Sequence, residues 1–233
     1  MSSQHPPLQH TITVAIPTYN EGDYIAHSLR NLAQQKLFRM CEVIVADYDP
    51  DRSGIVENQL KLLNIPNVRY ISVPRAGIAF ARHLAILSST CPYVVNFDAD
   101  VHFEHDDAIE RLVTPLYHKE AAVTCPDYVM AKSTIKISPI ANAVYEAAVL
   151  MQRNSPFVAL EPGMAFTRYV YDEVGGFSDL KQYEGMELSA RIVAKYMGMK
   201  RFIPEAKIIA SPRRLEGFTK YGLIAADYDI PIR

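Results

Sequence analysis

The chain has 233 residues, of which 49% are hydrophobic and 21% charged, and its formal net charge at pH 7 is -2. This balance is typical of a globular protein, and it excludes both a largely disordered chain and a strongly basic nucleic-acid binder. The three cysteines, Cys41, Cys91 and Cys125, lie far apart without metal-ligand spacing, which argues against a disulfide scaffold or a zinc module. No apolar run is long enough to span a membrane, so we expect a cytoplasmic protein.

The first half of the chain alternates short β-type runs with helical patterns. Four apolar runs predict strands at residues 11–16, 41–46, 68–73 and 92–97, and the clearest helix follows the third of them at Ile78–Leu87. This order predicts an α/β fold, with a mostly parallel sheet and helices on both of its faces. Ligands bind beyond the carboxyl ends of the strands in such sheets, so we expect one crevice bordered by Pro17-Thr18-Tyr19, Asp47 and Asp98.

The second half of the chain is less regular. Its patterns predict helices at residues 106–117, 138–153 and 184–197 and strands at residues 121–124, 200–203 and 206–210. We expect residues 1–10 to form a disordered leader, residues 11–212 to form one α/β domain, and residues 213–233 to form a C-terminal tail.

Two carboxylates, Asp98 and Asp100, follow the fourth predicted strand. On an extended chain both side chains would leave the same side, with their Cα atoms about 6.5–7 Å apart. One could then ligate a hard divalent cation while the other holds a sugar hydroxyl, although Asp is also common where a turn begins. Residues 98–110 carry six acidic residues and no Lys or Arg, whereas residues 195–220 carry seven Lys or Arg against two Glu. We expect these two segments to border the same site.

The segment after the first strand, Pro17-Thr18-Tyr19-Asn20-Glu21, contains neither of the common phosphate-binding glycine motifs. There is no GxxxxGK[ST] and no GxGxxG at this point of the chain. A sharp turn that ends in an aromatic ring and a carboxylate suits stacking on a nucleotide base. The same residues could also form a helix entry in which Asn20 is the cap, and the two interpretations are compatible.

Six motifs in this order resemble the family 2 glycosyltransferases of the GT-A fold. They are residues 12–21, 43–47, 75–82, 95–100, 175–177 and 184–191, and they extend over roughly residues 11 to 205. The resemblance implies an enzyme that moves a sugar from a nucleotide-diphospho-sugar donor to an acceptor hydroxyl, with Mn²⁺ or Mg²⁺ as cofactor. A nucleotidyltransferase of similar architecture would need a Gly-rich N-terminal loop with basic residues, which this sequence lacks.

The resemblance also implies a role for individual residues. Pro17, Thr18, Tyr19 and Glu21 would line the pocket for base and ribose, and Asp47 would accept a hydrogen bond from the base. Arg75 and Arg82 would approach the diphosphate, and Asp98 and Asp100 would hold the ribose and the metal ion. Gly163 and Met164 belong to a loop that would meet the donor sugar and the acceptor, where glycine permits a close approach of the backbone.

The departure from the family lies where the catalytic base is expected. In relatives an acidic pair opens the helix after Gly-Gly-Phe, and the second carboxylate of the pair deprotonates the acceptor. Here the pair is Glu184-Gly185, so Glu184 is our candidate base. Glu187 is the second choice, or else an i+4 structural partner of Arg191.

An inverting transferase is the leading hypothesis from the sequence. A retaining transferase on the same fold and a catalytically silent sugar-nucleotide-binding protein remain open as alternatives. The acceptor is unidentified and could be a glycan, a protein or a lipid-linked molecule. A lipid-linked acceptor would be met at the membrane surface, through residues 195–220 or the helix at 138–153.

Overall fold

The computed structural model describes residues 10–19, 21–131, 139–180 and 183–211. Within these ranges eight strands form one sheet in the order β3-β2-β1-β4-β7-β6-β8-β5. The strands are β1 (Ile12–Thr18), β2 (Cys41–Asp47), β3 (Val68–Ser72), β4 (Tyr93–Asn96), β5 (Val101–Phe103), β6 (Val123–Met130), β7 (Ala165–Thr167) and β8 (Lys200–Ala210). The helices are α1 (Gly22–Leu32), α2 (Ile55–Leu63), α3 (Ile78–Leu87), α4 (Ala108–Tyr117), α5 (Pro139–Asn154), α6 (Arg168–Glu173) and α7 (Glu184–Lys195).

The predicted leader, apart from its last residue, and the predicted tail lie outside the described residues. Among the helices that the structure describes, none combines the length and the apolar character needed to cross a bilayer.

Helices cover both faces of the sheet. Successive strand residues point to opposite faces, and because they are apolar on both, each face needs a layer of helices. In β1, Val14 and Ile16 pack into the core shared with α1 and α4, whereas Ala15 packs into the core shared with α3 and α7. Both clusters are buried and apolar, so β1 is a central strand with no face left to solvent. The predicted α/β class with helices on both faces is confirmed.

The carboxyl ends of β1, β2 and β4 meet at one edge of the sheet, as predicted. β1 pairs in parallel with β2 on one side and with β4 on the other. Thr18 at the end of β1 is in register with Asp47 at the end of β2. This parallel pairing brings the polar residues that follow three separate strands to a common crevice.

The second half of the sheet is mixed. Among the described strands four pairings are parallel and three antiparallel, and the antiparallel ones all involve β5 or β7. Neither of these three-residue strands is evident in the sequence, because neither is long enough to show periodicity. The two predicted C-terminal strands are one continuous strand, β8.

The antiparallel pairing of β5 with β8 joins the acidic and the basic segments of the sequence. Val101 lies opposite Ala210 and Phe103 opposite Ile208. Lys207 Nζ is 3.4 Å from a carboxylate oxygen of Glu104. The two segments are therefore adjacent over the described part of the second one, which ends at residue 211, and that they border one site stays a prediction.

Candidate active site

A cleft opens at the carboxyl ends of β1 and β2, against the beginning of α3. Its lining includes four residues that the sequence predicted for base and ribose, and it adds one aromatic residue and the start of α3. The lining residues are Pro17, Thr18, Tyr19, Glu21, Tyr48, Ala76, Gly77, Ile78 and Ala81. The rings of Tyr19 and Tyr48 are stacked, with centroids 5.7 Å apart and planes 15° apart. Sequence reasoning missed Tyr48, although it directly follows Asp47.

Asp47 is buried at the end of β2, between the cleft-lining residues Thr18 and Tyr48 in the pairing and in the chain, and its neighbours hold its carboxylate. The Thr18 hydroxyl donates a hydrogen bond of 2.7 Å to Asp47 Oδ1, across the β1–β2 pairing. The Tyr70 hydroxyl lies 3.5 Å from Oδ2, and burial together with the charge of Asp47 raises the pKa of Tyr70 to about 12. These contacts fix the orientation of the carboxylate, and its predicted bond to a base stays a prediction.

Arg82 is the centre of a buried ionic network. Its side chain is only 1% exposed, and it donates to Asp98 Oδ1 at 2.6 Å and to Glu184 Oε1 at 2.7 Å. Burial opposes the charge of Arg82, but attraction to Asp98 and Glu184 outweighs it, so the pKa of Arg82 is raised above its ordinary value. The network joins α3, the segment after β4 and the first turn of α7.

This burial changes the interpretation of Arg82. The sequence predicted a direct contact with a diphosphate, but both ends of the guanidinium are already engaged by carboxylates below the surface. The geometry instead favours a role in which Arg82 holds Asp98 and Glu184 in position.

Arg75, predicted to act in the same way as Arg82, lies in a different environment. Its side chain is 49% exposed and makes a two-pronged contact with Asp179, at 3.3 and 2.9 Å. Its guanidinium carbon also lies 3.9 Å from the centroid of the Phe80 ring. A cation held this way beside the cleft-lining residue Gly77 remains accessible to an anionic ligand.

Asp98 and Asp100 do not extend a strand, contrary to one of the two sequence expectations. β4 ends at Asn96, and residues 99–100 form a turn that leads into β5. Asp98 is therefore buried against Arg82, whereas Asp100 is partly exposed at the turn. Within the described residues no group of three or more metal-ligating side chains is assembled. A single accessible carboxylate still fits Mg²⁺ or Mn²⁺, because these ions commonly bind through one or two carboxylates and complete their shell with water and phosphate.

Gly163 is required by the protein's own packing. Its φ is +76°, and a Cβ atom there would lie 2.5 Å from Ile208 Cδ1 and 2.6 Å from Pro126 Cγ. The side of this glycine on which a Cβ atom would lie faces protein, so packing alone requires a glycine here. The side chain of Met164 is buried in the core with α3, and the predicted contact of this loop with donor sugar and acceptor stays a prediction.

The two glutamates named as candidate bases are both ion-paired. Glu184 is buried and bound by Arg82. Glu187 accepts from Arg191 Nη2 at 2.7 Å, and the hydrogen bonds from Arg191 lower the pKa of Glu187. The alternative role of Glu187 as the i+4 partner of Arg191 is therefore confirmed, and a carboxylate held by arginine is a poor proton acceptor.

A third glutamate, Glu161, lies beside them and was missed in the sequence. It is partly buried, and its Oε1 accepts a hydrogen bond from the backbone N–H of Gly185 in the first turn of α7. Burial, and then the charge of Glu184, raises the pKa of Glu161 to about 7, while Arg82 and the Gly185 N–H act in the opposite direction. Glu161 and Gly185 are 24 residues apart, and no motif links them, so no sequence signal could have joined them.

The sheet with helices on both faces and the cleft at its carboxyl edge define an α/β protein, and comparison with known proteins shows to which family it belongs. The family model described as "Glycosyl transferase family 2" matches residues 13–174, which is more than half of the chain. The chain belongs to glycosyl transferase family 2.

Curated relatives match about half of the chain. A glycosyltransferase, GlyA, from Streptococcus pneumoniae is 26% identical over 117 residues, which are 50% of this chain and 16% of that protein. A chondroitin synthase from Pasteurella multocida is 30% identical over 114 residues, which are 49% of this chain and 12% of that protein. The chain therefore spans less than a fifth of the length of these relatives.

Solved structures match nearly the whole chain. A mannosyltransferase from Pyrobaculum calidifontis, in complex with GDP-Man and Mn²⁺, superposes with a TM-score of 0.67 at 21% identity, covering 92% of this chain and 59% of the other. Residues 1–349 of TarS from S. aureus, in complex with UDP-GlcNAc, superpose with a TM-score of 0.64 at 16% identity, covering 86% of this chain and 58% of the other. At these identities the likeness shows the fold alone.

Proposed function

We propose that this chain transfers a sugar from a nucleotide-diphospho-sugar donor to an acceptor hydroxyl with inversion at the anomeric carbon. The observation that carries the proposal is the cleft itself, in which stacked Tyr19 and Tyr48 adjoin the buried carboxylate of Asp47. A planar base would stack on the exposed aromatic face, and the oriented carboxylate would accept a hydrogen bond from it.

The donor diphosphate lies, in this proposal, between Arg75 and Asp100. Arg75 supplies an accessible cation, and Asp100 would hold Mn²⁺ or Mg²⁺ together with the phosphate oxygens. The metal would neutralise the charge that develops on the leaving nucleoside diphosphate. Arg82 does not touch the donor in this proposal; its two ion pairs hold Asp98 and Glu184 in place. Asp98 is as buried as Arg82, so its bond to the ribose stays a prediction from the family resemblance.

Titration calorimetry with UDP-, GDP- and dTDP-linked sugars, each with and without Mn²⁺, tests donor binding and its metal dependence. Asp100→Asn should abolish the effect of Mn²⁺ on donor affinity. Asp106→Asn is the matched control, because Asp106 belongs to the same acidic run but is an exposed partner of Lys36. Binding of none of the donors, or an equal effect of Mn²⁺ in both variants, would contradict the proposal.

The anomeric coupling constant of the product, read by proton NMR, tests inversion. The product of an inverting transferase has the opposite anomeric configuration to the donor. Retention would identify the alternative mechanism on the same fold. Donor binding without transfer or hydrolysis in any assay would identify a silent binding protein.

A further inference from the structure

The space next to Gly185 is filled by another residue. A Cβ atom built on Gly185 would lie 2.5 Å from both Cγ and Cδ of Glu161 and 2.6 Å from its Oε1. Any side chain at position 185 would therefore have to displace the Glu161 carboxyl group. Conversely, the volume that an acidic side chain at position 185 would fill already contains a carboxylate, contributed by the loop that precedes β7.

We propose that Glu161 is the general base of the transfer reaction, and that its carboxylate replaces the one that position 185 lacks. This inference rests on the proposed function. In the reaction a carboxylate oxygen of Glu161 takes the proton of the acceptor hydroxyl. The hydroxyl oxygen forms a bond to the anomeric carbon as the bond from that carbon to the diphosphate oxygen breaks, and the electron pair of that bond leaves with the nucleoside diphosphate.

The surroundings of Glu161 suit this task better than those of the other two glutamates. Its carboxylate accepts from a backbone N–H, and no Lys or Arg among the described residues forms an ion pair with it. In the part of the chain that the structure describes, three ionisable groups act on it: Glu184 from α7, Arg82 from α3 and Tyr128 from β6. Burial and the charge of Glu184 prevail over Arg82, so the raised pKa of about 7 leaves a carboxylate that both takes up and releases a proton near neutrality.

If Glu161 had a purely structural role, its bond to the Gly185 N–H would cap the first turn of α7, so the test must separate the two roles. Glu161→Gln keeps an oxygen that accepts from the Gly185 N–H but cannot act as a base. Glu173→Gln is the matched control, because Glu173 also tethers α7 through Lys195, but at its far end and in an exposed pair. Nucleoside diphosphate release from the donor is measured with water and with a panel of methyl glycosides as acceptors.

We expect Glu161→Gln to bind the donor as the wild type does and to lose about 10²- to 10⁴-fold in kcat, whereas Glu173→Gln retains both. Wild-type kcat should rise with pH through about 7, because the base must be deprotonated. The inflection should be absent from Glu161→Gln. A fully active Glu161→Gln would overturn this inference alone, whereas a wild-type chain that binds no donor would overturn the proposed function and this inference with it.

A double variant tests whether the two positions are interchangeable. Gly185→Asp alone introduces a side chain into the space that Glu161 occupies, and we expect it to be impaired. In Glu161→Ala/Gly185→Asp the space is vacated, and the new carboxylate projects from the position where the family carries its base. We expect the double variant to exceed Glu161→Ala in kcat by at least about tenfold. A double variant no more active than Glu161→Ala, despite unimpaired donor binding, would contradict the proposal.

Discussion

Replacing Arg82 tests the buried ionic network most directly. Arg82→Met keeps much of the side-chain volume but removes the charge and both hydrogen bonds, which leaves Asp98 and Glu184 as two buried carboxylates without their cation. Removing one partner of a buried ion pair costs about 3–5 kcal/mol, because the remaining charge is uncompensated. The matched control is Arg75→Met, since this pair is 49% and 66% exposed and such a pair contributes only about 0–1 kcal/mol.

Urea unfolding at pH 7.5, followed by far-UV circular dichroism, measures both losses. With a slope of about 2 kcal/mol per M, Arg82→Met should unfold at a midpoint roughly 1.5–2.5 M lower than the wild type, and Arg75→Met within about 0.5 M of it. Arg82→Met/Glu184→Gln should recover part of the loss, because one of the two uncompensated charges is removed. If Arg82→Met loses less than about 1 kcal/mol, the network does not carry the energy inferred from its burial. If the double variant recovers nothing, the loss reflects packing.

Three further predictions concern single positions. Gly163→Ala should lower the free energy of unfolding in urea by about 2–4 kcal/mol, through backbone strain and overpacking. Gly175 also has a positive φ, but a Cβ there would meet nothing within 4 Å, so Gly175→Ala should lower it by only about 1 kcal/mol. Equal losses would refute the packing argument. Tyr48→Ala should weaken donor binding by about 1–3 kcal/mol in titration calorimetry, and unchanged affinity would exclude stacking on this ring. At pH 8, Glu161→Gln should have a free energy of unfolding about 1–3 kcal/mol higher than the wild type, after allowance for partial exposure of the side chain. This gain should vanish towards pH 4.5. The pKa of Glu161 is about 7 in the folded chain against an ordinary 4.5, so ionising it costs the folded protein stability as the pH rises from 4.5 to 7. A gain from Glu161→Gln that does not depend on pH would contradict this reasoning.

Local pattern was enough to predict the first half of the sheet. β1, β2, β3 and α3 lie where apolar runs and helical periodicity predicted them, within two residues at each end. Long buried runs between turn signals leave few alternatives, and parallel pairing then aligns their carboxyl ends. The crevice that joins Thr18 and Asp47 follows from that order alone.

The sequence pattern did not predict elements that are short or that depend on pairing with distant parts of the chain. β5 and β7 have three residues each and exist because β8, β4 and β6 pair with them. The sequence left open whether the Asp-x-Asp segment continues a strand or begins a turn, and the structure shows that pairing ends at Asn96 and the chain turns into β5. Hydrogen bonds between strands, and not propensity within three residues, determine such elements.

The sequence by itself determined the family, the α/β order and the edge of the sheet that carries the cleft, because these depend on residues near one another in the chain. Only the tertiary structure separated Arg75 from Arg82, which share a motif but differ in burial, since solvent access depends on the elements packed around each side chain. Likewise, only the tertiary structure brought Glu161 to the space beside Gly185. Two segments 24 residues apart meet there because β7 and α7 pack against the same core, and no local pattern encodes that contact.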